Sequence, residues 1–79
     1  MTLSVDSTPT FARRLKQARL HTGLSQKELG IRAGLDPHVA SPRINQYEGG
    51  KHEPKLETAG RWAQALGIPA ALLYTDDDL

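Results

Sequence analysis

The chain contains no cysteine, which excludes disulfides, Cys-ligated zinc and thiol chemistry and suits a reducing compartment. Aromatics are scarce, with one Trp, one Phe and two Tyr among 79 residues. That length allows one compact domain, whose small core must rely on tightly packed short elements or on a second copy. The longest apolar run, Ile68 to Tyr74, falls far short of the ~20 residues that span a bilayer. Lys and Arg are missing from the first ten residues, so neither a signal peptide nor a basic N-terminal arm is expected. No stretch alternates apolar and polar residues as a half-buried strand does. The expectation is a soluble, cytoplasmic, all-α chain.

Histidine is also sparse. His21, His38 and His52 have no His-x-x-x-His spacing, no Cys partner and no carboxylate pair in a glycine-framed motif. No metal, cofactor or small-molecule site is visible, and so short a chain leaves little room for a sizeable pocket. An enzyme is therefore not expected.

The formal net charge is only +1, but it is unevenly spread. Residues 10–55 hold nine Lys or Arg against four Asp or Glu, a surplus of five that Asp76, Asp77 and Asp78 largely cancel. A basic body is compatible with phosphate contact, though weak evidence for it alone.

Helix punctuation is clear. Met1 to Ser7 is a polar leader without periodicity. Thr8 is a cap with Pro9 at the first helical position, and Phe11, Leu15 and Ala18 repeat at helical spacing until Gly23. Arg13, Arg14, Lys16 and Gln17 lie largely off that apolar face. Ser25 and Glu28 form a Ser-x-x-Glu capping box opening a second helix, with Leu29 and Ala33 inward and Gly34 as its stop. Ser41-Pro42 repeats the cap-then-proline signal, placing a third helix at about 41–48 with Ile44 and Tyr47 inward and Gly49-Gly50 at its end. Leu56, Ala59, Ala63 and Leu66 make a fourth amphipathic helix, ended by Gly67. Pro69 opens a short fifth, with Leu72 and Leu73.

A short capped helix followed by one rich in Arg, Asn and Gln is an arrangement that reads base edges in duplex DNA. Gly23-Leu24-Ser25-Gln26, Leu29, Ala33-Gly34, Ile44, Tyr47-Glu48, Gly50-Lys51, Pro54 and Leu66-Gly67, in this order, resemble the phage-repressor (Cro and XRE-type) helix-turn-helix family. The resemblance runs from about Phe11 to Tyr74. It implies a compact five-helix lambda-repressor-like DNA-binding domain over 9–74, between a leader at 1–8 and an acidic tail at 75–79. It also implies a phosphate contact by Gln26, for which the plain alternative is a solvated first-turn residue, and an internal ion pair between Arg19 and Glu48.

On the third helix Ser41, Arg43, Asn45 and Gln46 lie outward as candidate base contacts. Arg43 suits guanine O6 and N7, and Gln46 suits adenine N6 and N7; the alternative is an ordinary polar helix face. Asn45 lies toward the edge of that face, and Pro42 offers at most contact with a thymine methyl. Lys27, Gly50, Lys51 and His52 complete the candidate phosphate contacts, the glycines also serving as a helix stop.

Three departures from the family pattern stand out. The connector over 34–40 has seven residues where such turns have about 3–4, so Leu35-Asp36-Pro37-His38 reads as an insertion. It either bulges, extends the second helix, or brings His38 near the DNA backbone. Gly30 stands where the family prefers Ala. Trp62 stands where it has an aliphatic residue, and with Ala59 and Gly60 small, a core ring is expected rather than a base-stacking platform.

The functional expectation is a sequence-specific transcription regulator, a repressor, binding an inverted-repeat operator in double-stranded DNA. It would act as a homodimer joined through the C-terminal helix around Leu72, Leu73 and Tyr74. The rivals are a protein-interaction module, such as an antitoxin-like partner binder, and the DNA-binding part of a longer regulator.

Overall fold

The computed structural model describes residues 9–75. Four α-helices, α1 (Thr10–Thr22), α2 (Gln26–Arg32), α3 (Pro37–Glu48) and α4 (Leu56–Leu66), precede a 3-10 turn at Ala70–Leu73. Among the described residues there is no strand, as the missing alternation implied, and no helix is long and apolar enough to cross a membrane. The expected fifth helix is only that four-residue turn. Its bonds run from Leu72 N–H to the Pro69 carbonyl and from Tyr74 N–H to the Ala71 carbonyl, and tucking Leu73 fully into the core ends it.

Helix α1 buries Phe11, Leu15 and Ala18 on one stripe, together with the flanking Ala12. Pro9 occupies the cap position rather than the first turn, and Thr8 lies outside the described residues. At the other end Gly23, at φ +81°, supplies the left-handed residue that closes the helix. Arg14 is buried despite its charge. Its Nε donates to the Thr75 carbonyl at 2.7 Å and its Nη1 to Gln17 Oε1 at 2.7 Å, tying α1 to the end of the domain.

The capping box of α2 forms as expected, with Glu28 N–H on Ser25 Oγ at 3.0 Å and Ser25 N–H on Glu28 Oε1 at 2.9 Å. The Ser25 backbone N–H holds the Glu28 carboxyl below its usual range, helped by the Ser25 side chain.

The structure corrects the third helix most. It begins at Pro37, not Ser41, and the seven-residue connector does not exist. Asp36 is the cap, its side chain accepting from His38 N–H at 2.8 Å, and Pro37 fills the first position where no N–H is missed. Two cap-then-proline pairs stand in succession, Asp36-Pro37 and Ser41-Pro42, and the first starts the helix. Pro42 is carried inside it, unable to donate to the His38 carbonyl. The apparent insertion is thus one additional helical turn. Four residues are close to the 3.6 of a turn, so Ala40, Ile44 and Glu48 keep to one buried stripe.

That extra turn accounts for Gly30. A Cβ built there would meet the Cβ of Ala40 at 2.5 Å and its Cα at 2.9 Å, and α2 and α3 are the most extensively packed helix pair. Gly30→Ala is therefore expected to destabilise the fold by a net ~1–2 kcal/mol, because so close a clash puts overpacking in the upper part of its usual ~1–3 kcal/mol range, above the ~1 kcal/mol gain in helix propensity. Adding Ala40→Gly should recover part of the loss. Urea unfolding midpoints check this, and an unchanged or raised midpoint for Gly30→Ala would refute it.

In α4, Ala59, Trp62, Ala63 and Leu66 are buried, whereas Leu56, expected inward, is 75% exposed as the helix's first residue. The largest fully buried side chains are Trp62, Leu15, Leu29, Ile44 and Leu73. The few aromatics stand in one row. Tyr74 lies 5.3 Å from Phe11, Phe11 lies 6.0 Å from Trp62, and Trp62 meets Tyr47 edge-on at 4.4 Å. Trp62 is a core ring, as its small neighbours implied.

Candidate nucleic-acid interface

Helix α3 is fixed from below by three contacts. Ala40 packs on Gly30, Ile44 is fully buried, and Glu48 is held by Arg19. The Arg19–Glu48 pair is bidentate, with Nε to Oε2 at 2.6 Å and Nη2 to Oε1 at 3.1 Å, and the side chains are only 10% and 4% exposed. Arg19 Nη1 also donates to the Leu24 carbonyl at 2.9 Å, so α1, the turn before α2 and the end of α3 meet at one guanidinium. The pairing implied by the family resemblance is present. It sets orientation more than net stability, since desolvation offsets much of a buried pair's attraction.

Gln26, at the first position of α2, bridges to α3. Its Nε2 donates to Glu48 Oε1 at 3.2 Å and to Asn45 Oδ1 at 3.3 Å, and its Oε1 accepts from Ser41 Oγ at 3.4 Å. Three candidate DNA residues, Gln26, Ser41 and Asn45, thus hold one another. Ser41 is half-buried in this network. Arg43 and Gln46 behave differently, being exposed with no side-chain hydrogen bond among the described residues. With Tyr47 and His52 they line a shallow hollow of about 290 Å³.

Beyond α3 the N–H groups of Gly49, Gly50 and Lys51 turn back to the carbonyls of Asn45, Tyr47 and Gln46. Gly50, at φ +76°, supplies the left-handed step. The Gly50 N–H is already engaged by the Tyr47 carbonyl at 3.1 Å and is not a free donor. The charge in this loop is Lys51. His52 leans on Tyr47 at 5.9 Å between ring centres, and both Lys51 and Lys27 are exposed. The structure therefore gathers Arg43, Gln46 and His52 round one hollow, with Lys51 next in the chain. Sequence reasoning missed that His38 and Val39 belong to α3 at all, although the Asp36-Pro37 cap carried the signal.

The model of the helix-turn-helix domain family matches residues 10–74, nearly all of the described chain. The chain belongs to the helix-turn-helix domain family. The helix-turn-helix domain is 33% identical over 70 residues to the cryptic phage CTXphi transcriptional repressor RstR of Vibrio cholerae, covering 86% of this chain but 58% of that protein. Among solved structures it resembles the transcriptional regulator BswR, at TM-score 0.79 and 45% identity over 85% of this chain and 66% of that one. It also resembles the restriction-modification controller protein C.AhdI of Aeromonas hydrophila, at TM-score 0.73 and 31% identity over 82% of this chain and 92% of that one. The helix-turn-helix domain thus spans somewhat more than half of the repressor and about two thirds of BswR. The α2–turn–α3 unit described above is the motif that gives the family its name.

Proposed function

We propose that the chain is a sequence-specific DNA-binding transcription regulator, a repressor, that lays α3 in the major groove. The observation that carries this is the face of α3 opposite Ala40, Ile44 and Glu48. There Arg43 and Gln46 are exposed and uncommitted on a helix whose position the Arg19–Glu48–Gln26 network sets. Arg43 is the guanine reader and Gln46 the adenine reader. Asn45 and Ser41 contact bases at the edge of the face while positioning Gln26, which contacts phosphate at the α2 N-terminus. Lys27, Lys51 and His52 add phosphate contacts, with Gly50 permitting close approach. The relatives named as a transcriptional repressor, a transcriptional regulator and a restriction-modification controller protein support the reading.

A single helix makes two or three good base contacts, each worth ~1–3 kcal/mol, which is thin against ~10⁶ competing genomic sites. A homodimer on an inverted repeat, with half-site centres ~34 Å apart, supplies the rest. Leu73 is a core residue and cannot serve that interface, which leaves exposed Tyr74 and half-buried Leu72 from the expected set.

Selection of duplexes from a randomised pool tests the proposal. Wild type should enrich an inverted repeat, and Arg43→Ala and Gln46→Ala should each lose ~1–3 kcal/mol of base preference. Lys51→Ala should weaken all duplexes alike and flatten the salt slope by about one unit. Enrichment of nothing by a helical, folded protein would instead favour a partner-binding module. Equal loss of specific and random binding in all three variants would sink the residue assignments.

A further inference from the structure

The extra turn of α3 changes which side chains face outward. On a helix the positions 38, 42 and 46 follow one another at i, i+4 and i+8, with 39 and 43 beside them. His38, Val39, Pro42, Arg43 and Gln46 are all exposed, opposite the buried stripe of Ala40, Ile44 and Glu48. At 1.5 Å per residue this strip is ~12 Å long, some three to four base-pair steps. Had the helix begun at Ser41, only its lower half would exist.

Two members of the strip are apolar. Val39 leaves 39% of its surface in water, and Pro42, one turn on, has neither a polar side-chain atom nor an N–H. A lone exposed apolar residue means little, but these two are neighbours at i, i+3 and directly adjoin Arg43 and Gln46. The apolar group that a major groove offers beside guanine and adenine edges is the C5-methyl of thymine. The geometry points to Val39 and Pro42 as a thymine-reading patch, extending the recognised site by way of the additional turn. This rests on α3 entering the major groove as proposed above.

The test replaces each thymine of the selected duplex, one at a time, with deoxyuridine, which lacks only the methyl. At one or two base pairs per half-site the full chain should bind about fourfold more weakly, the worth of one buried methyl-sized group. In Val39→Ala or Pro42→Ala that same replacement should have a clearly smaller effect, while sensitivity to base changes opposite Arg43 and Gln46 persists. Pro42→Ala removes a helix-interior proline, so loss of folding does not confound it. If every thymine tolerates deoxyuridine in the wild type, or if both variants keep the full loss, the inference is overturned. A wild type that selects no sequence overturns the functional reading as well, which separates the two failures.

Discussion

Glu48→Ala is expected to remove ~3–5 kcal/mol of folding stability, because it strands a buried guanidinium rather than because it deletes a strong bond. Arg19 is 10% exposed at its side chain and directs Nε and Nη2 at the lost carboxylate, keeping only the Leu24 carbonyl. Gln26 Nε2 loses its 3.2 Å acceptor in the same change. A domain of this size has a total stability of only ~4–12 kcal/mol, so much of the population would be unfolded. The companion variant Arg19→Met/Glu48→Leu removes both charges and should recover most of the loss, since an apolar pair of similar volume is often neutral or better. Chemical denaturation of the three proteins decides it. A cost under ~1 kcal/mol for Glu48→Ala would show that water reaches Arg19, and the pair would then be a surface contact of little weight. The double variant carries a second expectation, for it folds but loses one of the three bonds that hold Gln26, so its binding should fall while its helical content does not.

Trp62→Ala should be comparably severe, at ~3–5 kcal/mol, through the cavity left where the largest buried side chain stood. The neighbours cannot readily fill it. Ala59 and Ala63 on the same helix are small, Phe11 lies 6.0 Å away, and Tyr47 is already in edge-to-face contact at 4.4 Å. For a domain of 60–100 residues each kcal/mol shifts the melting temperature by ~4–8 °C, so a fall of at least ~12 °C is expected by circular dichroism. Trp62→Phe should fall by much less, retaining a ring against Tyr47. A fall below ~4 °C for the alanine variant would mean that the core collapses onto the site.

The sequence was most legible where one signal decides an element. The Ser25/Glu28 box, the Gly23 and Gly67 stops and the stripe of Phe11, Leu15 and Ala18 all fall where spacing put them. It misled where two valid signals competed. Asp36-Pro37 and Ser41-Pro42 both satisfy the cap-then-proline rule, and local rules contain nothing to rank them. What ranks them is tertiary: a helix starting at Pro37 lets Ala40 bury on Gly30, a contact between residues on different helices. Arg14 was misplaced for a similar reason, because its burial depends on Thr75, distant in sequence. Leu56 failed because the first residue of a helix has no turn before it to pack beneath. Within the candidate interface, the outward placing of Arg43, Gln46 and Lys51 was legible in the sequence, while the tethering of Gln26 by Ser41 and Asn45 required the structure.

The row of rings gives this chain a built-in optical reporter. Its single Trp is buried, and its edge-on neighbour Tyr47 belongs to α3 and lies 5.9 Å from His52 between ring centres. Indole emission shifts to the red when the ring enters water, so one unmodified fluorophore follows unfolding without competing signals from other tryptophans. The same ring lies one side chain behind the helix that would meet DNA. If α3 enters the groove as proposed, a change in that emission on adding duplex is the expected label-free signal.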